Sequence, residues 1–206
     1  MDTGKLILVA LPLILLLTTA IFMLRRGKSP REKTVLVNSK RLRLVRDPVH
    51  QLACDVLVLE NDSQLTFKPE LARQAAEVGG DSIKQECGDW IAKYGPLLPG
   101  ENAHTKGGLL GVKHIMHVVA TQEPDLQFLQ DLFIEELREA AQKSPSHTIA
   151  LTLVGLSSGY VLEEYCSLLL KHCKALMESQ DLAEVRELVL VSSDQRAFDL
   201  LAQGLN

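Results

Sequence analysis

The sequence predicts a three-layer α/β/α domain with a mixed sheet, preceded by one transmembrane helix. Three observations carry this. Beyond residue 33, short apolar runs alternate with longer segments of helical periodicity. One run, Asp55-Val56-Leu57-Val58-Leu59, is unbroken in its apolar character, as expected of a strand covered on both faces. Ahead of all this, Leu6 to Leu24 carries no charge.

The uncharged run LILVALPLILLLTTAIFML is long enough to cross a hydrocarbon core of about 30 Å. Pro12 within it is tolerated in a membrane helix. Asp2 and Lys5 precede the run, and Arg25, Arg26, Lys28, Arg31 and Lys33 follow it. Positive charge stays on the cytoplasmic side, so the expectation is a single-pass membrane protein whose domain faces the cytosol. A cleaved signal peptide, ending near Thr18-Thr19-Ala20, is the rival reading, but such a peptide carries its basic charge before the apolar core. The expected division is a tail over 1–5, an anchor over 6–24, a basic linker over 25–33 and a domain over 34–206. Asn61-Asp62-Ser63 is a glycosylation sequon, and a glycan there would reverse that topology.

In the domain, Thr34–Val37 and Arg41–Val45 read as short strands, followed by the run ending at Leu59. Pro69 opens a helix that Gly79-Gly80 ends. A second helix runs from about Asp81 to Lys93, with Asp81 or Ser82 as its cap. Strands follow at Asn102–Thr105 and Val112–Ala120. Leu126, Leu129, Phe133, Leu137 and Ala140 recur at helical spacing. A strand at Thr148–Val154, a helix at Val161–Met177, a strand at Glu187–Ser192 and a helix at Ala197–Leu205 complete the chain.

Composition narrows the function. Apolar residues make up 46% and charged residues 23%, enough for a core, and the net charge of −4 argues against a general nucleic-acid binder. The four cysteines, Cys54, Cys87, Cys166 and Cys173, form no CxxC pair. Cys166 and Cys173 share a helix face about 10.5 Å apart, too far for a disulfide. Reduced, buried thiols are expected, with no metal site and no cofactor. His114 and His117, three apart on a strand, point to opposite faces and make no metal pair.

Four stretches, in this order, resemble the macro domain, a module associated with ADP-ribose. They are Arg46-Asp47-Pro48-Val49 with the strand after it, Gly80-Asp81-Ser82-Ile83-Lys84-Gln85-Glu86-Cys87, the strand pair from Pro99 to His117, and Ile149 to Gly159. The resemblance covers roughly Leu42 to Leu205 and implies a three-layer macro-like fold, nearest in flavour to the divergent members. By this resemblance Asp47 falls where the family's aspartate accepts from the adenine amino group, though Asp-Pro is also a common turn. Gly155-Leu156-Ser157-Ser158-Gly159-Tyr160 falls at the phosphate loop, with Tyr160 against a ribose; an ordinary turn capped by Ser is the plainer alternative.

The other half departs from the family. Leu59-Glu60-Asn61-Asp62 stands where active members have Asn-Ala-Ala-Asn, and Thr66-Phe67-Lys68-Pro69-Glu70 stands where they have glycines. The stacking aromatic is replaced at Ser192 or Ser193. No catalytic residue is assigned, and Cys87 has no visible activating partner. The resemblance, with these departures, implies a non-catalytic reader of ADP-ribose, of an ADP-ribosylated protein or of a related adenine nucleotide, and the uncharged run Leu6–Leu24 is expected to hold it at a membrane. The alternatives are a protein–protein scaffold that has lost the ligand and a weak ADP-ribosyl hydrolase.

Overall fold

The computed structural model describes residues 31–46, 49–143 and 147–206. Strands form at Glu32–Val37 (β1), Lys40–Val45 (β2), Cys54–Glu60 (β3), Asn102–Lys106 (β4), Val112–Val118 (β5), Thr148–Thr152 (β6) and Glu187–Val191 (β7). Helices form at Glu70–Gly79 (α1), Asp81–Tyr94 (α2), Leu126–Gln142 (α3), Leu162–Glu178 (α4) and Gln195–Gly204 (α5). The strands make one sheet of order β1-β2-β7-β6-β3-β5-β4. Its five inner strands are parallel, and β1 and β4 run antiparallel at the edges. This is the expected mixed sheet.

Alternation along the inner strands builds two cores. Val56 and Val58 of β3, Ile149 and Leu151 of β6, and Leu188 and Leu190 of β7 face α3, α4 and α5, whose Phe133, Tyr165 and Phe198 are fully buried. Leu57 and Leu59, Ala150, and Val189 and Val191 face the other way, onto Ala72, Ala75 and Ala76 of α1 and Ile83 and Cys87 of α2. A period of two on strands buried on both sides therefore yields three layers. The small alanine face lets α1 lie close to the sheet. The edge strand β1 and its neighbour β2 are joined by Asn38 and Ser39, both with positive φ, as a two-residue hairpin turn requires.

Three details differ from expectation. Gly80, and neither Asp81 nor Ser82, is the N-cap of α2, and no side chain bonds its first turn. The strand expected to reach Val154 stops at Thr152, because the Val154 N–H turns back to the Thr152 carbonyl at 2.8 Å. The Ser cap offered as the plainer alternative for the glycine turn is not found: Val161 precedes α4 with no side-chain bond. The segment Leu6–Leu24 lies outside the described residues. Among the described residues, no helix is long and apolar enough to cross a membrane.

Candidate functional site

Parallel strands aim their carboxyl ends the same way, and the loops leaving them make a crevice there. Such a cleft, of about 1050 Å³, opens beyond β3, β5, β6 and β7. Its walls are the loop after β3, the turn Pro96–Pro99, the loop after β5, the loop after β6, and Val191 with Ser193 at the end of β7.

The loop after β6 was expected to hold phosphate. Leu156, Ser157 and Ser158 line the cleft, and Gly155, Gly159 and Tyr160 shape the loop behind them. Gly155 and Gly159 both adopt left-handed backbone, φ 80° and 89°, where a side chain costs roughly 1–2 kcal/mol. Ser158 Oγ donates to the Thr121 carbonyl, and Tyr160 Oη donates to the Asp125 carbonyl at 2.9 Å and accepts the Asp125 N–H at 3.1 Å. The phenol expected against a ribose is thus tied to the start of α3. Asp47, expected at the adenine, lies outside the described residues.

The loop after β3 is built differently. Asp62 Oδ1 accepts from Gln64 N, and Asp62 Oδ2 accepts from Thr66 N, Thr66 Oγ1 and Lys68 N, at 2.9–3.3 Å. Burial alone would push the Asp62 carboxyl up, but these bonds hold it below the usual carboxylate range. Asn61 Oδ1 accepts from its neighbour Asp62 N and from Phe67 N, both at 2.9 Å. That fixes the amide so that Nδ2 meets His117 Nδ1 at 3.3 Å. Leu65 and Phe67 take left-handed backbone, φ 53° and 61°, although neither is glycine. Of the segment standing in for the family's glycines, Thr66 turns to Asp62 and Phe67 is buried edge-on against His117, while Lys68, Pro69 and Glu70 wall the cleft. The segment borders the hollow and leaves it open.

His117 is fully buried, and burial, with His104 adding to it, pushes its pKa down to about 3. It is therefore neutral. Since Asn61 donates to Nδ1, Nε2 carries the proton and donates to Thr105 Oγ1 at 3.0 Å. Cys87 Sγ sits 3.6 Å from the same nitrogen, a juxtaposition across 30 residues that the sequence did not reveal. It creates no nucleophile: Nε2–H cannot take the thiol proton, and burial, with Glu86 and Asp62 adding to it, pushes Cys87 up to about 12. All four cysteines are free and buried. Among the described residues no group of three or more His, Cys, Asp or Glu is placed to hold a metal. The sequon also reads differently in three dimensions. Asn61 is 3% exposed and its Nδ2 is engaged by His117, so a bare Asn61 reports burial and says nothing of sidedness.

Glu60, which closes β3, was not singled out as a site residue. Its Oε2 accepts from Gly155 N at 3.0 Å and its Oε1 from Ser157 Oγ at 3.4 Å, a link across 95 residues. Burial raises its carboxyl, against the pull of those two bonds.

Residues 61–160 match the model of the macro domain family. The fold is likewise that of a macro domain. The Oceanobacillus iheyensis macrodomain bound to ADP superposes with a TM-score of 0.72 at 17% identity, covering 84% of this chain and 94% of that one. The Trypanosoma brucei macrodomain in complex with ADP-ribose gives 0.70 at 18% identity, covering 80% and 69%. In sequence, an uncharacterized protein of Pyrobaculum aerophilum is 28% identical over 117 residues, 55% of this chain and 59% of its own length. The human protein mono-ADP-ribosyltransferase PARP14 is 25% identical over 127 residues, 59% of this chain and 7% of its own length. The chain thus spans less than two thirds of the length of these curated relatives.

Proposed function

We propose that the cleft binds ADP-ribose, free or attached to a protein, or a related adenine nucleotide, and does not turn it over. The observation that carries this is the open cleft at the strand ends, with Leu156–Ser158 presented between two left-handed glycines. The structural neighbours crystallised with ADP and with ADP-ribose support the ligand class. Asp62 supports the absence of turnover. It stands at the last asparagine of the family's active string, and its oxygens are taken up by four loop donors, which leaves it poorly placed to orient a water. The charge pattern around Leu6–Leu24 supports placing this reader at the cytoplasmic face of a membrane.

Calorimetric titration of the purified chain with ADP-ribose tests the reading. Saturable binding at one site per chain is expected. No heat up to about 1 mM ligand, the level of −4 kcal/mol, removes it in favour of a scaffold. Incubation with a mono-ADP-ribosylated protein is expected to leave the label in place; release in proportion to added protein makes the chain a hydrolase instead.

A further inference from the structure

Two donors of the loop after β6, Ser157 Oγ–H on the cleft lining and Gly155 N–H just behind it, are already engaged by an anion that belongs to the chain. Glu60 reaches from the end of β3 across to the head of the loop after β6, where Gly155 N–H and Ser157 Oγ–H donate to its two oxygens. The backbone that carries it is fixed, since Glu60 N–H donates to Thr152 Oγ1 at 3.2 Å. Glu60 and Ser157 both line the cleft. A phosphate oxygen settling at the head of this loop would compete for the same N–H and O–H groups, and each of those hydrogens serves one strong acceptor at a time. Among the described residues the rest of the lining does not offset the charge: it carries the carboxylates of Asp62 and Glu70 and one cation, Lys68. Burial of Glu60 strengthens any anion–anion repulsion over its value in water.

We propose that Glu60 is a built-in tenant of the anion cradle and the residue that sets the cleft's ligand class. It disfavours diphosphate-bearing ligands, which must displace it, and leaves uncharged base and sugar moieties unaffected. The physical basis is substitution: where the family's string has alanine, this chain places a carboxylate that performs the phosphate's role from within. ADP-ribose is then held more weakly than the shape of the cleft allows, and neutralising one residue restores the difference. This rests on the reading of the cleft as an adenine-nucleotide site.

The test is titration of the full chain, wild type, Glu60→Gln and Glu60→Ala, with ADP-ribose and with adenosine. Glu60→Gln keeps the shape and one acceptor while removing the charge, and Glu60→Ala frees both donors; thermal melting checks that each is folded. Both variants are expected to bind ADP-ribose about tenfold tighter or more, with no gain for adenosine. Equal ADP-ribose affinity in all three proteins, or weaker binding in the variants, overturns the role of Glu60 and leaves the reader function standing. An equal gain for adenosine overturns it as well, because the change would then be one of room and not of charge. If none of the three proteins binds ADP-ribose, the reading of the cleft fails and this proposal fails with it.

Discussion

Two loops that line the cleft, leaving neighbouring strands, enter left-handed backbone by opposite means. The loop after β6 relies on glycine: Gly155 and Gly159 enter left-handed backbone with no side chain to hinder them. The loop after β3 has no glycine from Glu60 to Val78, yet Leu65 and Phe67 are left-handed too. Each costs roughly 1–2 kcal/mol in strain, which burial of a leucine or phenylalanine side chain, about 1.5–3 kcal/mol, offsets. The remaining stabilisation comes from Asn61 and Asp62, whose side chains accept five backbone N–H groups between them. The difference has a functional meaning. The glycine loop yields its Gly155 N–H to a carboxylate from another strand, whereas the loop after β3 is folded around a carboxylate of its own.

Asp62→Ala is the strongest test of this contrast. It strands Gln64 N, Thr66 N, Thr66 Oγ and Lys68 N, and is expected to cost about 3 kcal/mol, lowering the melting temperature by about 10 °C. A change under 1 °C would mean that the loop does not depend on the carboxylate. Gly155→Ala comes next, at about 2 kcal/mol, because a Cβ there combines φ +80° with a Leu129 methyl 3.3 Å away. Gly159→Ala meets nothing within 4 Å and is expected to cost only the backbone term, about 1 kcal/mol. Chemical denaturation of the two variants side by side separates strain from crowding; equal losses would remove the distinction.

The smallest effect is that of Asp62→Asn, which keeps an acceptor, at about 1 kcal/mol or less near neutral pH. Its pH dependence is the sharper readout. The folded Asp62 carboxyl sits below its unfolded value near 3.8, so its contribution is present above that pH and is lost as pH falls through the folded value. Wild type and Asp62→Asn are therefore expected to converge in stability on acidification. A gap that widens instead would reverse the sign argued here.

Local pattern carried most of the fold. The strands of the parallel core announce themselves as apolar runs, and their helices by spacing, because each signal resides in a few consecutive residues. The glycines of the β6 loop were equally legible, since left-handed backbone favours that residue. What escaped depends on the fold bringing distant residues together. Glu60 meets Gly155 across 95 positions, and His117 meets Cys87 across 30. Asp62 is an intermediate case. Its partners lie two, four and six residues ahead, within reach of an Asx-type turn, but the residue type alone does not distinguish such a turn from a solvated aspartate.

The imidazole of His117 ties these local facts to the behaviour of the whole molecule. The unfolded chain takes up a proton on this ring near pH 6.5, while the folded protein refuses it until about pH 3. Across that interval every step toward acid favours the open chain. The ring's Nδ1 also anchors Asn61, so the wall of the cleft is fastened to a group whose proton uptake requires the fold to open. Mildly acid surroundings therefore draw on the stability of the whole fold, while the neutral ring keeps its contact with the cleft wall.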